Sequence, residues 1–96
     1  MRVRVGVIGV GNMGSAHCKW LENHPQMVLT AVADVIEARR GRWAADPSVQ
    51  VFDSGQALIR SGVCAAVIVA TPHFSHVALA SAALKAGLHV MVEKPI

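Results

Sequence analysis

Apolar runs of strand length alternate along this chain with segments in which apolar residues recur every three or four positions. Val3–Ile8, Val28–Ala33, Val49–Phe52, Ala65–Ala70 and His89–Val92 read as strands. Between the first two, Met13, Ala16, His17, Trp20 and Leu21 share one helical face. Asn23-His24-Pro25 ends that helix, because proline disfavours helical backbone at the residue before it. Ile36 to Ala45 reads as a second helix, closed by Asp46-Pro47. Ser54 is placed to cap a short third helix running to about Arg60, which Ser61-Gly62 stops. Phe74, Val77, Ala78, Ser81, Leu84 and Leu88 mark a fourth, with Gly87 at its C-terminal end. Strands and helices in alternation predict βαβ units and an all-parallel sheet. The right-handed crossover rule then leaves strand order 3-2-1-4-5.

Composition agrees with a sheet covered on both faces. Hydrophobic residues make up 53% of the chain and aromatics 4%, so Val, Ala, Leu and Ile must fill the core. Ninety-six residues amount to one domain at most, and a chain of that size buries only about 60–65% of its unfolded surface. The apolar stretch Val63 to Ala70 is too short to cross a bilayer. Arg2 and Arg4 interrupt the N-terminal apolar run, and no cleavage pattern of an export signal follows, so a cytoplasmic location is expected, without membrane association. Cys18 and Cys64 belong to no CxxC pair and to no Cys/His spacing that would hold zinc; both read as buried thiols, and no metal site is expected. The net charge is +3, and Arg39, Arg40 and Arg42 form the one dense basic cluster, with Glu37 beside it. That cluster is either a solvated helix face or a contact for the adenosine end of a cofactor. Without interleaved aromatics it does not point to nucleic acid.

Chemistry concentrates at three turns. Gly9-Val10-Gly11-Asn12-Met13-Gly14 follows the first strand directly, and Asp34 closes the second, twenty residues after Gly14. In a dinucleotide site the first glycine makes a tight strand-to-helix turn, the second lets backbone approach a pyrophosphate, and the third packs helix against strand. The helix N-terminus then favours the phosphates, and a carboxylate at Asp34 takes the adenosine ribose hydroxyls. These features predict a Rossmann-type doubly wound α/β domain over residues 1–96. In such a sheet ligands bind beyond the carboxyl ends of the strands, where the strand order reverses. Thr71-Pro72-His73 and Glu93-Lys94-Pro95 fall at the same end as the glycine loop.

Hydride loss from an alcohol to a nicotinamide also requires a base for the hydroxyl proton. Lys94 is the candidate, with Pro95 holding it extended; the competing reading is an exposed lysine on a strand edge. Glu93 serves either the nicotinamide ribose or a surface cation. His76, in the first turn of the fourth helix, either ties down the preceding loop or is structural. Two functions follow: an oxidoreductase, for which Lys94 speaks, or a non-catalytic dinucleotide-binding or redox-sensing module. A methyltransferase would leave Glu93-Lys94-Pro95 without a purpose.

The runs VGVIGVGNMGSAH, AVAD and VIVATPHFSHVALASAALKAGLHVMVEKP resemble the N-terminal half of the Gfo/Idh/MocA oxidoreductases, the family of glucose-fructose oxidoreductase and inositol dehydrogenase. The resemblance spans essentially the whole chain. It implies NAD as cofactor, with NADP possible, and a sugar, polyol or related small molecule as substrate. It places Gly9, Gly11, Asn12, Met13 and Gly14 at the pyrophosphate and Asp34 at the adenosine ribose. Thr71, Pro72 and His76 fall on the nicotinamide side, Glu93 near its ribose, and Lys94 as the catalytic lysine. His73 stands where the family often has asparagine. Family members continue past the EKP element into a second α/β domain that supplies most substrate contacts, so the chain is expected to be part of a longer protein, homo-oligomeric in its full-length form and inactive as 96 residues alone.

Overall fold

A computed structural model of the chain describes residues 2–71 and 73–92, leaving out the side chains at positions 12, 13 and 73–76. Nine elements alternate as expected: β1 (Val3–Ile8), α1 (Asn12–Glu22), β2 (Met27–Ala33), α2 (Glu37–Ala44), β3 (Gln50–Phe52), α3 (Gly55–Arg60), β4 (Ala66–Val69), α4 (His73–Lys85) and β5 (His89–Val92). The strands form one parallel sheet in the order β3-β2-β1-β4-β5. Chain direction therefore reverses its march between β1 and β4, and the carboxyl ends of β1, β2 and β4 gather on one rim.

Two apolar layers hold this sheet. On one face Val5, Val7, Leu29, Val32 and Ile68 meet Cys18 and Leu21 of α1 and Trp43 of α2. On the other, Ile8, Ala31, Ala33, Val67 and Val69 meet Leu58 and Ile59 of α3 and Leu79 and Ala83 of α4. Each fully buried Val or Leu contributes about 1.5–3 kcal/mol against the entropy of ordering the chain. The second layer is tight. A Cβ on Gly6, in the middle of β1, would stand 2.9 Å from Leu58 Cδ2 and 3.1 Å from Cys64 Sγ. Glycine in that strand interior lets α3 sit close to the sheet.

Helix ends follow local chemistry. Ser54 Oγ accepts the Ala57 N–H at 3.1 Å, the cap expected from sequence. After α4, the N–H of Leu88 bonds Ala83 O and that of Gly87 bonds Leu84 O, both at 3.0 Å, with Gly87 at φ +83°. That pair is a Schellman closure, which requires the left-handed conformation glycine supplies. The turn from α1 to β2 is closed by His24, whose Nδ1 accepts the N–H groups of Gln26 (3.0 Å) and Met27 (3.1 Å).

One expectation changes. The buried stripe of α1 is Gly14, Cys18 and Leu21, while Trp20 is 54% exposed and Ala16 is exposed. Gly14 sets this rotation: a Cβ there would run into the Gly9 carbonyl and reach Val7 Cγ1, so that face must lie flat on β1. Residues four and seven positions on inherit the buried side. Trp20 instead packs edge-on against His24, ring centroids 4.6 Å apart. Among the described residues no helix is long and apolar enough to cross a membrane.

Candidate functional site: a nucleotide groove at the switch point

At the carboxyl end of β1 the chain turns through Gly9, whose φ of +91° and surroundings both require glycine. A Cβ there would stand 2.9 Å from the Ala70 carbonyl oxygen at the end of β4. Gly9 N–H donates to Ala33 O at 2.7 Å, so this one residue lies between the ends of β2 and β4. Gly11 then occupies the N-cap of α1 without a side-chain cap, and the first turn of the helix holds no acidic residue. The unpaired N–H groups and positive dipole end of α1 are left for an anion. Ser15 secures the turn from below, donating its hydroxyl to Val10 O and its N–H to Gly11 O, each at 2.8 Å. The sequence reading did not single Ser15 out; a serine one position beyond the last glycine was the available signal.

Asp34 is 7% exposed. A buried carboxylate must be partnered, and this one is: Oδ2 accepts the Val10 N–H and Oδ1 the Ile36 N–H, both at 2.9 Å. It thereby ties the glycine loop to the start of α2. Arg39 NH1 lies 3.8 Å from Oδ2, and Arg40 donates to the Asp34 main-chain carbonyl at 2.9 Å. Two oxygens carry about four acceptor sites, so capacity remains for ribose hydroxyls. The arginines thus serve the rim of the groove, the sharper of the two readings of the basic cluster. Arg42 does not join them; it lies over the Trp43 ring, 5.2 Å from its centroid.

These residues border a cavity of about 550 Å³ that runs from the end of β2, across β1, to the end of β4. That volume is within the usual range for ligand sites. Gly9, Gly11, Asp34 and Thr71, all singled out from sequence, line it together. Gly14 is not among the lining residues; it lies beneath, holding α1 on β1. Asn12 and Met13 begin α1, their side chains outside the description. Pro72, Glu93 and Lys94 lie outside the described residues, as does the His76 side chain. The cavity also recruits residues not anticipated. Val35 and Ile36 are apolar yet 79% and 44% exposed, and they wall the groove beside Asp34, with Ser54, Gly55 and Gln56 across from them. Two exposed apolar residues directly after the acidic one were a legible sign of a binding wall.

The donor set suits a dinucleotide: a glycine turn free of side chains, a helix N-terminus free of acidic residues, a partnered carboxylate and an apolar wall. Among the described residues no group of three or more His, Cys, Asp or Glu could hold a metal ion.

Comparison with known proteins gives the same answer. The chain is 40% identical over 96 residues to an inositol 2-dehydrogenase of Rubrobacter xylanophilus, covering 99% of this chain and 28% of that protein. Myo-inositol dehydrogenase from Lactobacillus casei, solved with NAD(H) and myo-inositol, superposes with a TM-score of 0.90 at 31% identity, covering 99% of this chain and 29% of that one. Biliverdin reductase from Synechocystis, solved with biliverdin and NADP+, superposes at 0.87 with 33% identity, covering 97% and 29%. The chain therefore spans less than a third of the length of these relatives. The family model for the Gfo/Idh/MocA oxidoreductases, described by an NAD-binding Rossmann fold, matches residues 3–96, and the chain belongs to that family.

Proposed function

We propose that the full-length protein carrying this domain is a cytoplasmic NAD(P)-dependent dehydrogenase acting on a hydroxyl of a sugar, polyol or related small molecule. The observation that carries this reading is the groove at the switch point, with Asp34 buried at one end and Thr71 at the other. Gly11 and the N-terminus of α1 receive the pyrophosphate, and Asp34 the adenosine ribose. Adenine lies against Ile36. Thr71, Pro72 and His76 border the nicotinamide side, and Glu93 its ribose. A bound nicotinamide supplies the hydride acceptor. Lys94 takes the hydroxyl proton, and a neighbouring nicotinamide cation together with partial burial favours its neutral, basic form. Asp34 also favours NAD, since a carboxylate and a 2′-phosphate at contact distance repel. The dehydrogenase names borne by relatives support an enzyme over a passive sensor. The two unbridged cysteines suit a reducing compartment.

Lys94→Ala in the full-length protein tests the assignment. NAD affinity stays within a few-fold of the parent while the chemical step slows by about 10²–10⁴. Stopped-flow measurement of NADH formation with an inositol or sugar substrate reads the second quantity and calorimetry the first. An unchanged chemical step removes Lys94 as the proton carrier.

A further inference from the structure

Arg39 stands in the first turn of α2, yet its side chain reaches back over the glycine loop instead of into solvent. Three atoms of its guanidinium and adjoining group, NH1, Cζ and Nε, lie 3.4, 3.5 and 3.9 Å from where a Cβ on Gly11 would be. Distances so similar mean that the planar group lies nearly face-on to Gly11. NH1 is at the same time 3.8 Å from Asp34 Oδ2, too long for a hydrogen bond but within the reach of charge attraction. The Arg39 side chain remains 50% exposed, and it lines the cavity beside Asp34. The guanidinium therefore has donors unspent and faces the groove where the ribose 2′-position would be.

Resting on the dinucleotide reading above, we infer that Arg39 is the specificity-determining residue that lets this site accept a 2′-phosphorylated adenosine despite Asp34. The carboxylate alone repels such a phosphate. Both its oxygens already accept backbone N–H groups, and Arg39 offsets its remaining charge. A guanidinium pairs with phosphate through two parallel N–H donors, which an ammonium does not reproduce. Arg40 is committed to the Asp34 carbonyl and is not the competing partner. Glu37, exposed in the same first turn, opposes a phosphate weakly from the solvent side. The site consequently discriminates less between the two adenosine forms than its acidic residue alone would dictate.

The experiment measures calorimetric affinities of the full-length protein for 2′,5′-ADP and 5′-AMP, with Arg39→Ala and Arg39→Lys beside the parent. The quantity read is the ratio of the two affinities, which cancels any general loosening of the loop. Arg39→Ala lowers the preference for 2′,5′-ADP relative to 5′-AMP by about 10–100-fold, the scale of losing a charge-assisted pair. Arg39→Lys falls between alanine and the parent. A ratio unchanged in both variants overturns the inference, as does an equal loss of affinity for both probes. Failure of the parent to bind 5′-AMP or NAD at all would instead remove the dinucleotide reading beneath it. Circular dichroism identifies a variant that fails to fold, and the lysine variant then decides by the same ratio.

Discussion

At Asp34 the sequence placed the right side chain at the right strand end, because an acidic residue closing an apolar run is visible without coordinates. Its second task was not visible. The hydrogen bonds to Val10 and Ile36 depend on two backbone groups that converge only once β1 and β2 lie side by side. The same limit applied to Cys18, read correctly as buried but without its consequence. Burial pushes the Cys18 thiol up from 9.0 to about 12, against a small opposing pull from Arg42. The folded protein thus keeps a neutral thiol where the unfolded chain carries a thiolate. Between about pH 9 and 12 the unfolded state binds fewer protons than the native one, so stability falls as pH rises through that window. Cys18→Ala should shed this part of the alkaline loss, seen as a shallower decline of the urea midpoint above pH 9 than in the parent. An equal decline in both proteins would place the alkaline sensitivity elsewhere.

Among the elements, existence and type were legible throughout, and ends were legible wherever a capping residue marked them. Ser54 and Gly87 did so. The rotation of α1 was not, because apolar spacing alone put Trp20 inside. The controlling fact is a contact between Gly14 and the Gly9 carbonyl, which periodicity does not carry. Glycines also separate two effects that look alike in sequence. Gly41 lies within α2 with nothing within 4 Å of an added Cβ, and its φ is not positive. Gly87 has the same open space but a φ of +83°. Gly41→Ala should therefore stabilise by about 0.5–1 kcal/mol through helix propensity. Gly87→Ala should destabilise by about 1–2 kcal/mol through left-handed strain. Urea unfolding of the full-length variants checks both, and two changes of the same sign would show that local backbone preference does not decide these positions.

For the whole molecule, strand order followed from the alternation of strands and helices and from crossover handedness, rules that need no side-chain detail. That order alone located the groove, since it brings the ends of β1, β2 and β4 to one rim. What remained hidden was the groove's wall. Ser54, Gly55 and Gln56 come from the start of α3, and nothing in their local sequence says which helix start will face Asp34. The central claim is that this rim binds a dinucleotide through a glycine loop that must stay free of side chains. Calorimetric titration of NAD into the full-length protein and its Gly11→Val variant tests it most directly. A valine there fills the space between Gly11 and Arg39 without entering the core. The parent should bind NAD, and the variant should keep its circular dichroism while losing that binding. A folded Gly11→Val protein with the parent's NAD affinity would contradict the account.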